Sequence, residues 1–153
     1  MSGGITVEPF RASQQQAVEA LINRNLLEHF GVLRPELNPD LYDIAASFRA
    51  GVFMVATLAD GTLAGTGGLM PEGPGVGRVA RMHTAPEHRR FGVATKVLNA
   101  LETRARSLGY GRLLLETNLD WHEAIAFYQR QGYREVQRNH LGIEFRKQLE
   151  PKP

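Results

Sequence analysis

The chain has 153 residues, 42% hydrophobic and 22% charged, the profile of a soluble globular protein long enough to bury a core. Its net charge of +2 is too small to argue for a nucleic-acid binder, and the basic character is local, with Arg78, Arg81, Arg89 and Arg90 close together in sequence. The lack of cysteine excludes disulfides, thiolate nucleophiles and cysteine metal sites. No apolar run is long enough to span a membrane. Met1-Ser2-Gly3-Gly4 lacks a signal-peptide pattern, so a cytoplasmic location is expected.

In chain order, Ile5-Thr6-Val7 alternates as a first strand. Ser13 followed by Gln16 predicts a capping box, opening a helix with Val18, Leu21, Ile22 and Leu26 on one face and Gly31 at its end. A second short helix, capped around Asn38-Pro39-Asp40, is expected from Leu41 to about Phe48. Val52 to Leu58 and Thr62 to Met70 read as antiparallel strands about a turn at Asp60-Gly61. Pro71-Glu72-Gly73-Pro74-Gly75 reads as a loop, and Val79 to Thr84 as a fourth strand.

The clearest helix follows. Val93, Ala94, Val97, Leu98, Leu101, Ala105 and Leu108 form its apolar stripe, Lys96, Asn99, Glu102 and Arg106 lie outside it, and Gly109 is the predicted C-cap. Arg112 to Thr117 has the apolar run of a strand covered on both faces. Asp120 and Glu123 predict a capping pair for a helix through Ala124, Ile125, Phe127 and Tyr128 that stops at Gly132. Tyr133 to Val136 and Ile143 to Phe145 are the last two strands. The order β-α-α-β-β-β-α-β-α-β-β predicts an α/β (α+β) fold, a mixed sheet with helices on both faces, in one domain over residues 1–150. The tail Pro151-Lys152-Pro153 is expected to be disordered.

Between the fourth strand and its helix stands Arg89-Arg90-Phe91-Gly92-Val93-Ala94. A basic, glycine-containing turn at a helix start presents unpaired N–H groups and a positive dipole end, the requirements of a phosphate site. It is neither a Walker A loop, lacking Gly-Lys-Ser/Thr, nor a Rossmann fingerprint, having one glycine of three.

The form Arg-x-x-Gly-x-Ala resembles the pyrophosphate signature of the GNAT N-acetyltransferases. The segment Arg81 to Ala94 is similar to that family's strand 4, turn and phosphate loop. A second segment, Ala124-Ile125-Ala126-Phe127-Tyr128-Gln129-Arg130-Gln131-Gly132-Tyr133, resembles the family's Ala-x-x-(Leu/Phe)-Tyr-x-x-x-Gly-(Phe/Tyr) ending. The resemblance spans nearly the whole chain. It implies a mostly antiparallel sheet that opens between strands 4 and 5 to admit acetyl-CoA as co-substrate, with no metal.

It further implies pantetheine pairing along Met82, His83 and Thr84, a diphosphate on Arg89, Arg90, Phe91, Gly92, Val93 and Ala94 with Thr95 just inside the helix, and a pantetheine contact from Asn118. Trp121 stands where family members often have a second asparagine. Tyr128 falls at the position of the family's general acid, and backbone N–H near Met82 or Thr84 at that of its oxyanion donor. Where many members carry a glutamate base, this chain has Arg78, which suggests an acceptor bearing a carboxylate or phosphate. Glu116, His83, His122 or a water chain are the alternatives for the base. Acceptor loops are expected from Phe30 to Leu37 and from Arg138 to Gly142. The implied activity is acetyl transfer to a primary amine of a small molecule or amino-acid-like acceptor. A protein N-terminus or lysine as acceptor stays open, as does a non-catalytic acyl-CoA-binding domain. No nucleic-acid or membrane partner is expected. The resemblance leaves a homodimer open, without a legible seam.

Overall fold

The computed structural model describes residues 4–150, so the expectation for residues 151–153 lies outside the described residues. Seven strands form one sheet: β1 (Thr6–Pro9), β2 (Val52–Thr57), β3 (Leu63–Gly73), β4 (Val76–Thr84), β5 (Arg112–Thr117), β6 (Arg134–Asn139) and β7 (Gly142–Gln148). Their order in space is β1-β2-β3-β4-β5-β7-β6, and every neighbouring pair is antiparallel except β4 and β5. The helices are α1 (Gln15–Phe30), α2 (Ile44–Ser47), α3 (Val93–Ser107) and α4 (His122–Arg130).

The sheet is covered on both faces because its strands alternate between two cores. Val55 packs with Val18, Ile22, Leu41 and Ile44 beneath α1 and α2, while its neighbour Ala56 joins Val97, Leu101, Leu115 and Phe145 beneath α3 and α4. The second face demands close approach. A Cβ on Gly67 would lie 2.6 Å from Val97 and 2.7 Å from the Met82 sulfur, so glycine there seats α3 against β3.

Several local expectations need correction. At the entry to α1, a 3₁₀ turn (Ala12–Gln14) precedes the helix, and the Gln14 amide oxygen accepts from the Arg11 N–H at 2.8 Å, two residues earlier than the Ser13/Gln16 box. The expected Leu41–Phe48 helix is two pieces. A 3₁₀ turn at Pro39–Tyr42 ends at Asp43, whose carboxylate caps α2 by accepting from the Ala46 N–H at 3.2 Å. The Pro71–Gly75 segment is largely strand, because Pro71 and Gly73 pair with Gly77 and Val76 and leave a tight hairpin. Asp120 does not cap α4, whose N-cap is Trp121; its carboxylate lies 3.2 Å from His29 Nε2. On α3 the stripe is shifted: Leu108 is exposed and Glu102 is buried. Glu102 is held by the Tyr133 hydroxyl at 2.8 Å and by Lys147 at 3.0 and 3.1 Å, and Lys147 also donates to Gln131 O. A buried carboxylate is tolerable there because both oxygens are paired.

Candidate active site

β4 and β5 pair only at Val76–Arg112, Gly77–Leu113 and Arg78–Leu114. Beyond that apex they diverge, leaving Val79–Thr84 without a ladder on the β5 side. The opening is a cleft of about 1280 Å³. Met82, His83, Thr84, Arg89, Arg90, Gly92, Val93, Ala94, Thr95, Glu116, Asn118 and Tyr128 line it; Phe91 and Arg78 do not.

Local backbone geometry opens the strand. β3–β4 register shifts between Thr66–His83 and Gly68–Ala80, so Arg81 and Met82 together oppose Gly67. This bulge holds Arg81 at φ 55°, an uncommon state for a side-chain-bearing residue, and the Thr66 hydroxyl fastens it by donating to Arg81 O at 2.8 Å. The Arg81 guanidinium clasps Asp40 at 2.7 and 2.9 Å and Asn38 at 3.0 Å, tying the α1–α2 connection to β4.

The turn that precedes α3 is shaped by two left-handed residues, Arg90 at φ 71° and Gly92 at φ 83°. Gly92 is the N-cap of α3 and offers no side-chain cap. The N–H groups at the helix start therefore have no intrahelical acceptor, and the alternating backbone forms an anion-binding concavity. Arg89 points away to α1, donating to Glu28 at 2.8 Å and to Asn25 at 3.2 Å. Arg90 is almost fully exposed, 3.9 Å from Glu123.

Asn25 was not anticipated. It is buried on α1, donating to Thr84 O at 3.0 Å and facing His83 Nδ1 at 3.3 Å. Its signal in the sequence is a polar residue inside the Val18–Leu26 apolar stripe. Burial, then the charges of Arg81 and Arg89, push the His83 pKa down to about 3, so the ring is neutral. His83 thus lines the cleft as a neutral, mostly buried ring that accepts a proton poorly. His122, the exposed first residue of α4, lies outside the cleft lining. Glu116 is exposed and inside it.

Tyr128 is buried against Phe127, Tyr133 and Phe145. Burial raises its pKa and keeps the phenol protonated. Tyr133, whose hydroxyl is engaged by Glu102, differs in this respect from Tyr128, which has no such partner among the described residues. Trp121 stacks on His29 at 4.1 Å, with Phe30 and His83 at 6.1 Å, and walls the cleft beside Asn118.

Arg78 requires correction as an acceptor residue. Its guanidinium donates to Glu72 at 2.9 and 3.3 Å and to Glu144 at 3.0 Å, and these carboxylates leave it no free charge.

The sheet thus parts over an uncapped helix N-terminus, with a buried phenol lining the gap. The chain belongs to the acetyltransferase (GNAT) family, whose model matches residues 18–133. It is similar to an IAA acetyltransferase of Azospirillum brasilense, 32% identical over 121 residues that cover 78% of each chain. A GNAT-family acetyltransferase of Staphylococcus aureus Mu50 superposes with a TM-score of 0.88 at 18% identity, over 95% of this chain and 99% of that one. The PaiA N-acetyltransferase of Thermoplasma acidophilum, solved with coenzyme A, gives 0.79 at 15% identity, over 94% and 98%. No helix among the described residues is long and apolar enough to cross a membrane.

Proposed function

We propose that this protein transfers the acetyl group of acetyl-CoA to the primary amine of a small, amino-acid-like acceptor, by direct attack within a ternary complex. The observation that carries this reading is the unpaired β4 edge running into the uncapped start of α3. The concavity at Arg90–Gly92 and the N–H groups of Val93, Ala94 and Thr95 fit a diphosphate. The free backbone of Met82–Thr84 fits an extended amide-bearing arm laid beside it as an added strand. Acetyl-CoA, when bound, supplies the activated acyl group.

The residues divide the remaining work. Tyr128 holds its proton at Oη against a departing thiolate. Glu116 takes the amine's proton, directly or through water, as the carboxylate that lines the cleft on β5. Backbone N–H at Met82 or Thr84 donates to the carbonyl oxygen as charge builds. Asn118 orients the pantetheine. A small-molecule acceptor accords with the name of the Azospirillum relative.

The test is release of CoA thiol across a panel of small amines, paired with thermal unfolding in millimolar CoA. We expect amine-dependent release and a raised unfolding temperature. No release with any amine would overturn the catalytic reading, and no thermal shift would overturn the CoA site as well.

A further inference from the structure

Just beyond the cleft apex, the sheet face opposite α3 and α4 carries an arrangement that acetyl-CoA does not explain. Arg78 on β4 lies across from Leu114 on β5, Leu114 from Arg146 on β7, and Arg146 from Arg134 on β6. Arg112 precedes Leu114 by two residues and so shares its face. Three arginines thus flank Leu114, with Glu116 on its fourth side and Glu144 next to Arg146, and the fourth arginine, Arg134, lies one strand further out. No helix covers them, since the core beneath α1 and α2 contains no residue of β5, β6 or β7.

The four are not alike. Arg78 is neutralised by Glu72 and Glu144. Arg112, Arg134 and Arg146 form no ion pair among the described residues, whereas Arg81, Arg89 and Arg138 each hold a carboxylate. The Nε atoms of Arg112 and Arg146 are buried without a hydrogen-bond partner, and they are the sole buried side-chain polar atoms among the described residues left so. Like charges placed directly opposite one another, as in Arg134 and Arg146, repel. The covered Nε atoms are out of a ligand's reach, but the guanidinium ends of Arg112 and Arg146, without a side-chain partner among the described residues on a face that no helix packs against, can take an anion.

The position says which anion. Glu116 lies two residues beyond Leu114 on the same face, roughly 7 Å along the strand, and lines the cleft. A molecule resting on this face places one end among the guanidiniums and the other beside Glu116 at the mouth. We infer that Arg146 and Arg112 bind a carboxylate of the acceptor while its amine enters the cleft, which makes the preferred substrates amines that carry a carboxylate several bonds away. This rests on the acetyl-transfer reading. It moves anion recognition from the neutralised Arg78 to the unpaired arginines beside it.

Two measurements test it. Succinate, as a probe without an amine, should raise the unfolding temperature of the wild type and not that of Arg146→Gln. In turnover, 4-aminobutyrate should exceed its neutral amide in kcat/KM by about tenfold or more, the scale of a charge-assisted contact, and Arg146→Gln should erase that preference while sparing the amide. Leu114→Glu is the second variant. A carboxylate planted among the guanidiniums should raise thermal stability and abolish the succinate response even if Arg146→Gln does not fold. Absence of a succinate shift in the wild type overturns the anion site whatever the turnover, as does destabilisation by Leu114→Glu. Equal rates for the acid and its amide, with thiol release intact, overturn the acceptor assignment and leave acetyl transfer standing. A succinate shift without thiol release from any amine fails acetyl transfer and preserves the anion site.

Discussion

One side of the cleft is built of backbone: the left-handed Arg90 and Gly92 and the uncapped start of α3. On the other side a ligand meets side chains: Trp121 stacked on His29, Arg81 clasped to Asp40, and His83 facing Asn25. The backbone wall depends on φ angles and on few residue identities. The side-chain wall depends on what each partner is and on its protonation. Different perturbations should therefore break the two walls.

The largest effect expected lies between them. Tyr128→Phe removes a hydroxyl and keeps the ring, so packing against Tyr133 and Phe145 should survive. Turnover should fall on the order of a hundredfold or more while CoA binding, measured by calorimetry, stays near wild type. An unchanged rate would make Tyr128 a core aromatic only.

Acid should weaken the side-chain wall. His83 has a folded pKa of about 3 against an ordinary 6.5, so the unfolded chain binds its proton first as pH falls. Above 6.5 both states are neutral and no penalty exists. Below it, stability should drop by roughly 1.4 kcal/mol per pH unit until the folded ring also titrates. By pH 5 this is about 2 kcal/mol, and chemical denaturation of His83→Asn should lack that slope. An identical slope in the variant would place the acid sensitivity elsewhere.

A smaller effect sharpens the backbone side. Gly92→Val places a β-branched residue at φ 83°, at a cost of about 1–2 kcal/mol, and should distort the turn although the space beside it is open. CoA should bind about tenfold more weakly. Arg89→Ala should matter least, about threefold on CoA, because that guanidinium is turned to Glu28 and Asn25. Should Arg89→Ala prove worse than Gly92→Val, the phosphate turn would be a side-chain site after all.

The same division explains what could be read in the chain. Periodicity and turn residues located the strands, with shifted ends, and most of the α3 stripe, and adjacent residues sufficed to mark the glycine turn before α3, since backbone turns leave a local record in spacing. The side-chain wall leaves none. Arg81 with Asp40, Asn25 with His83 and His29 with Trp121 are each separated by tens of residues, and only folding brings them together. Arg78 misled for the same reason: an isolated arginine at a strand start gives no sign that Glu72 and Glu144 will enclose it. Glu102 was placed outside the apolar stripe, yet Tyr133 and Lys147, far along the chain, allow it to be buried.

The position of β7 has a consequence for how the molecule is made. The last strand in sequence is an interior one, between β5 and β6, and it contributes Ile143, Phe145 and the Lys147 that holds Glu102. A nascent chain that has reached Leu141 therefore exposes two unsatisfied edges, that of β5 and that of β6, with a gap one strand wide between them. Until residues 142–148 arrive, β6 has no strand partner and β5 is held in the sheet only by its short pairing with β4. The half of the sheet beyond β4 thus closes only when β7 is in place, while β1 to β4 already have neighbours to pair with.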